Sequence, residues 1–191
     1  MADRHTSHLQ RLRGALAAGA VLLAGMTMAA GPVQATDGIS AAGSPLKPHV
    51  RALDPPAFKV LTASGQTVTD ASLAGRVTVL NLWATWCSPC LRELPSLDRL
   101  QEKLGGKARV LAVSQDKEGA AVASAYLQRL GIRHMEVAYD REAALTGAFR
   151  ARVLPLTVIL NREGKEIARY AGDLDWTDGS VLRFIERLAD R

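Results

Sequence analysis

The feature that most constrains this chain is an abrupt change of hydrophobic period around two cysteines. Val77–Trp83 is an apolar run broken only by Thr78 and Asn81, the pattern of a strand covered on both faces. Cys87-Ser88-Pro89-Cys90 follows, and then leucines at helical spacing, Leu94, Leu97, Leu100 and Leu104, before Gly105-Gly106 as a C-cap. Cys87 is therefore expected where a strand ends and a helix begins. A helix N-terminus offers unpaired N–H groups and about half a positive charge. With a second Cys three residues on, that setting lowers a thiol pKa from about 8.5 to about 3.5–7.5. Cys90 lies almost one turn further along, within reach of a disulfide, so it can resolve a mixed disulfide formed on Cys87. The pair reads as the centre of a thiol–disulfide oxidoreductase.

Structural uses of the motif fit less well. A zinc site needs four ligands, whereas the chain has two cysteines and four scattered histidines, His5, His8, His49 and His134, without His-x3-His spacing. No metal and no other cofactor is expected. A disulfide closing so short a loop constrains little of the unfolded chain, so a stapling role is also disfavoured.

At 191 residues the chain is one domain with attachments. Its net charge of +5 falls to +3, from 21 basic and 18 acidic residues, once the first 35 are set aside. No basic run stands out, which gives nucleic-acid binding no support. Residues 1–35 read as an export signal: Arg4, Arg11 and Arg13 precede an uncharged span, and Val33-Gln34-Ala35 is a small-x-Ala cleavage site. The uncharged span is also just long enough for an uncleaved membrane anchor. Either way the domain is expected outside the cytoplasm, in the periplasm, facing an oxidising compartment. Residues 36–56, rich in Gly and Pro, read as a flexible tether, and 57–191 as the folded domain.

Within 57–191 the pattern gives a β-hairpin around Ala63-Ser64-Gly65 and a turn of helix before Gly75. The Cys87 helix leads to a parallel strand over 109–113. A second helix carries Val122, Ala125, Tyr126 and Leu130 on one face, and 134–139 alternates like a strand, with His134 a surface or packing residue. After a short helix over 141–149, Leu156–Leu160 and 166–170 form antiparallel strands around Asn161-Arg162-Glu163-Gly164. Thr177 or Asp178 caps a last helix with Val181, Phe184, Ile185 and Leu188 inward.

The string Asn81-Leu82-Trp83-Ala84-Thr85-Trp86-Cys87-Ser88-Pro89-Cys90-Leu91-Arg92-Glu93-Leu94-Pro95 resembles the active-site motif of the TlpA/ResA-like exported thioredoxins, from about residue 57 onward. The resemblance implies an α/β thioredoxin fold: a mixed central sheet flanked by helices, with an N-terminal hairpin and a helix-strand insertion between Val113 and Val153. It implies Cys87 as exposed nucleophile, Cys90 as buried resolving thiol, and Trp86 and Pro89 beside them. Pro155 matches the family's cis-proline, which would leave the Leu154 backbone free to pair with an extended partner peptide; local sequence alone favours a trans bond. Pro95 is expected to kink the first helix.

Plain thioredoxin keeps an acidic residue where Asn81 stands, and Asn cannot take a proton from Cys90. Glu93 matches the glutamate of the TlpA/ResA-like motif and is expected to tune or deprotonate Cys90, its pKa raised by burial. The resemblance further implies reduction of exported protein disulfides, such as haem-site cysteines of apocytochrome c or copper-site cysteines, with electrons from a membrane thiol donor of the CcdA or DsbD kind. The Ser88-Pro89 dipeptide, lacking His, points to a reductant nearer about −270 mV than about −120 mV. Two other readings remain: a disulfide-forming oxidant or isomerase, and a Cu(I) chaperone using both thiolates.

Overall fold

A computed structural model of the chain describes residues 43–191. The export signal, and residues 36–42 of the tether, lie outside the described residues. Among the described residues eight strands form one mixed sheet: β1 (Pro48–Leu53), β2 (Lys59–Thr62), β3 (Thr67–Thr69), β4 (Val77–Trp83), β5 (Ala108–Ser114), β6 (Glu136–Tyr139), β7 (Leu156–Leu160) and β8 (Glu166–Ala171). Their spatial order is β1-β8-β7-β4-β5-β6-β2-β3. The parallel pairs are β4 with β5 and β5 with β6, joined through helices α1 (Ser88–Leu104) and α2 (Ala120–Arg129). Parallel neighbours need such a crossover, because a tight turn cannot return the chain to the same end of the sheet. Helices α3 (Ala144–Ala148) and α4 (Gly179–Ala189) complete the fold among the described residues.

The apolar run of β4 is explained by what lies on each side. Val77, Val79 and Trp83 pack with Leu94, Leu97 and Leu100 of α1 and with Phe184 and Ile185 of α4. Leu80 and Leu82 face the other way, toward Phe58, Val60, Leu145 and Phe149. Successive strand residues point to opposite faces, so a strand buried on both must be apolar throughout. Every β4 residue is indeed buried. Asn81 shares its face with Trp83, the α1 side, and is the polar exception there.

Three details depart from expectation. The tether is shorter than 36–56, because Pro48–Leu53 pairs antiparallel with β8 and Leu46 is fully buried. An edge strand needs only one neighbour, so few large apolar residues suffice; here the His49 ring also bonds Glu166 Oε1 at 2.7 Å. The helical face of α2 is turned: Ala123 and Leu127 are its buried residues, whereas Ala125 is exposed. The stripe Val122-Ala125-Tyr126-Leu130 marked a helix correctly but not its inward side, since Ala-rich helices carry a weak apolar stripe. The short helix before β7 also shrinks, from 141–149 to Ala144–Ala148.

Other features agree with the sequence. The hairpin β2–β3 forms, and Gly164 takes φ 75° in the turn between β7 and β8. Asp178 caps α4, accepting from Ser180 N at 2.8 Å. Among the described residues no helix is long and apolar enough to cross a membrane.

Candidate active site

Cys87 is the N-cap of α1. Its sulfur accepts a hydrogen bond from Cys90 N at 3.3 Å, with Pro89 in the first turn, where its missing N–H is no loss. The two sulfurs are joined in a disulfide, with the Cα atoms 5.3 Å apart, so the oxidised form is the one seen. Cys90 is 0% and Cys87 6% exposed. The nucleophile expected to be exposed is thus largely enclosed, and it meets solvent through a cleft instead of standing proud.

That cleft, of about 630 Å³, is lined by Trp86, Cys87, Ser88, Pro89, Val153 and Leu154, together with Gln115 and Thr146. Trp86 is 70% exposed, and Val153 is also exposed. Trp83, by contrast, is a core residue at 0%. The Leu154–Pro155 peptide bond is cis; Pro155 is buried, its carbonyl accepting from Gly172 N at 2.9 Å. Leu154 precedes β7 and lies outside its ladder with β8, which begins at Leu156.

The loop before Cys87 is fixed from β5. Asp116, which is buried, accepts from Thr85 N at 3.0 Å, from Thr85 Oγ1 at 2.7 Å and from Ser114 Oγ at 2.8 Å. Gln115 N donates to Trp83 O at 2.8 Å, extending the β4–β5 pairing by one residue.

Glu93 stands one turn after Cys90 on α1 and is 3% exposed. Its Oε1 accepts from Asn81 Nδ2 at 2.7 Å, and the same amide donates to Thr157 Oγ1 at 2.9 Å. Its Oε2 accepts from Leu174 N at 3.1 Å and Trp176 Nε1 at 3.2 Å. Burial pushes the carboxyl up from 4.5 to about 7; these three donors oppose the rise, and the Asp173 charge adds to it. A carboxyl poised near neutrality is suited to take and release protons. It also borders a small opening with Arg92, Arg99, Asp173 and Asp175, where Arg92 Nη2 meets Asp173 Oδ2 at 2.8 Å.

The structure thus gathers Trp86, Cys87, Pro89 and Leu154 in one cleft, and holds Glu93 on the helix that carries both cysteines. Sequence reasoning missed Gln115, Thr146, Trp176 and Thr157. A polar Asn81 and a polar Thr157 in otherwise apolar runs were a usable signal, because they pair directly across β4 and β7. Trp176 lies in a loop and gave none.

The Redoxin family pattern matches residues 42–183, and the chain belongs to that family. It is 28% identical over 119 residues to the thiol-disulfide oxidoreductase ResA of Bacillus thuringiensis (strain Al Hakam), covering 62% of this chain and 68% of that one. A solution structure described as a thioredoxin from Neisseria meningitidis matches with TM-score 0.62 and 29% identity, over 72% of this chain and 90% of that chain. The thiol:disulfide interchange protein DsbE of Chlorobium tepidum matches in fold, with TM-score 0.65 and 23% identity, over 72% and 96%. The fold is therefore thioredoxin-like, with ResA among its relatives. The protein is a thiol–disulfide oxidoreductase.

Proposed function

We propose that the reduced protein is an exported reductant of disulfides in client proteins. The Cys87 thiolate attacks one sulfur of the client disulfide; that S–S bond breaks and the other client sulfur leaves as thiolate. Cys90, deprotonated by Glu93, then attacks the Cys87 sulfur of the mixed disulfide. The Cys87–Cys90 bond forms, the second client sulfur leaves, and two electrons have passed to the client. The two client thiolates take up protons from solvent, one of them replacing the proton that Glu93 accepts from Cys90 and returns to solvent.

One observation carries this reading: the Cys87 sulfur caps α1, where the helix field and the Cys90 N–H favour a thiolate. The reducing direction rests on the Ser88-Pro89 dipeptide, which offers the Cys87 thiolate no His. The clients this reading favours are exported proteins whose metal- or haem-site cysteines must be kept reduced. A membrane thiol donor of the CcdA or DsbD kind would recharge the pair. The basic N-terminal segment and its uncharged span support export to the periplasm, whether the signal is cleaved or retained as an anchor. Trp86, Pro89, Leu154 and Pro155 are the proposed client contacts, with an extended client segment pairing to the Leu154 backbone.

Equilibration with glutathione tests the direction. A potential near about −270 mV is expected, and one near about −120 mV would refute the reductant reading. A Cys90→Ser protein should accumulate a mixed disulfide with a client peptide through Cys87.

A further inference from the structure

Gln115 sits at the wall of the Cys87 cleft and is 4% exposed. Its side-chain Nε2 donates to Val113 O at 3.2 Å, and its backbone N to Trp83 O at 2.8 Å. The Val113 bond fixes the amide's orientation, because a carbonyl at that place can only be met by a donor. Oε1 is then left buried, and no donor among the described residues reaches it. A buried acceptor without a partner is costly, so it calls for an explanation. Thr146, on the same cleft, spends its hydroxyl proton on Ala143 O at 2.6 Å. What its oxygen still offers is acceptor capacity.

We propose that this cleft is a specificity subsite for the client residue next to the reacting cysteine, and that it selects a neutral side chain carrying an N–H or O–H donor. The proposal rests on the exchange reaction proposed above. Gln115 Oε1 receives the donor, with Thr146 Oγ1 as a second acceptor, while Trp86 and Val153 flank the body of the side chain. An acidic side chain would bring oxygen against oxygen. A cationic one would meet the Arg152 guanidinium, which shares the cleft. An apolar one would leave Oε1 as it stands, buried and without a partner. The discrimination is of the kind in which a site built to hydrogen-bond a group rejects its isostere, because a polar atom is left unpaired.

The test uses the reduced protein and peptides closed by an internal disulfide. They differ only at the residue immediately before or after the attacked cysteine, in near-isosteric pairs: Thr against Val, Gln against Met, Asn against Leu. Second-order rates of reduction are compared within each pair. At one of the two positions the donor member should react about three- to tenfold faster, the value of one neutral hydrogen bond. In Gln115→Met the ratio should fall toward one, whatever the variant's overall rate. Equal rates within each pair at both positions, or a ratio that survives Gln115→Met, would overturn the subsite. Failure to reduce any of the peptides would instead remove the exchange reading, and the subsite with it. The wild-type comparison decides the matter even if the variant folds poorly.

Discussion

Glu93 is the single side chain to which the proposed exchange assigns the proton of Cys90. Between its ordinary 4.5 and about 7 the folded chain holds a proton that the unfolded chain has already lost. Stability therefore falls as pH rises through that window, and levels off above about 7. At 1.36 kcal/mol per pH unit the total fall is about 3 kcal/mol. Glu93→Gln should flatten it, which urea unfolding at pH 5 and pH 8 would show; an unchanged pH slope would mean that the carboxyl titrates normally. The same substitution should slow resolution of the mixed disulfide about a hundredfold near neutral pH, the usual worth of a positioned base, and erase a rate rise centred near 7. Asp173→Asn should lower the midpoint of that rise, since the Asp173 charge helps hold the Glu93 pKa up. This residue's part was half legible from the sequence. The resemblance implies its place in the motif and its burial, and the chemistry of Asn81 rules that residue out as the proton acceptor. That Asn81 instead donates to Glu93, while Trp176 Nε1 holds the other oxygen, depends on long-range packing that no local pattern encodes.

Among the helices, those with a strong one-sided apolar stripe show their buried face in the sequence, and the one with a weak stripe does not. Helix α1 runs Ser88–Leu104 with Leu94, Leu97 and Leu100 buried, as spaced, and carries Pro95 in its interior, where the Leu91 carbonyl loses its usual helical donor. For α2 the pattern chose the wrong side. Leu127→Ala should cost about 2–4 kcal/mol, whereas Ala125→Ser should stay within about 0.5 kcal/mol; denaturant midpoints would separate them, and equal costs would contradict the placement of that helix. Strand β1 was hidden for a different reason: its support is polar. Glu166 is buried, but hydrogen bonds from Arg169 and His49 outweigh that burial and hold its carboxyl below the usual range. Sign follows from direction: this contribution is present above the ordinary Glu pKa and is lost as pH falls through the lowered one. Arg169→Met leaves the buried carboxylate with His49 as its remaining partner and should cost about 2 kcal/mol, a loss visible at neutral pH and shrinking in acid.

At the level of the whole molecule, the sheet brings three distant stretches to one edge of the cysteine pair: the β4–α1 junction, the end of β5, and the segment entering β7. The first was legible because its chemistry and its hydrophobic period change at the same residues. Gln115 and Thr146 were not, because their roles appear only once β5 and α3 are folded against the motif. Central to the proposed exchange is the ionisation of Cys87 by the helix start, which lets it trade electrons with Cys90. The most direct measurement is the pH dependence of alkylation of the reduced protein, with the modified cysteine identified by mass spectrometry. Cys87 should react first and titrate well below the ordinary thiol value of about 8.5, with Cys90 protected. Two thiols that react alike, both titrating near 8.5, would contradict the account.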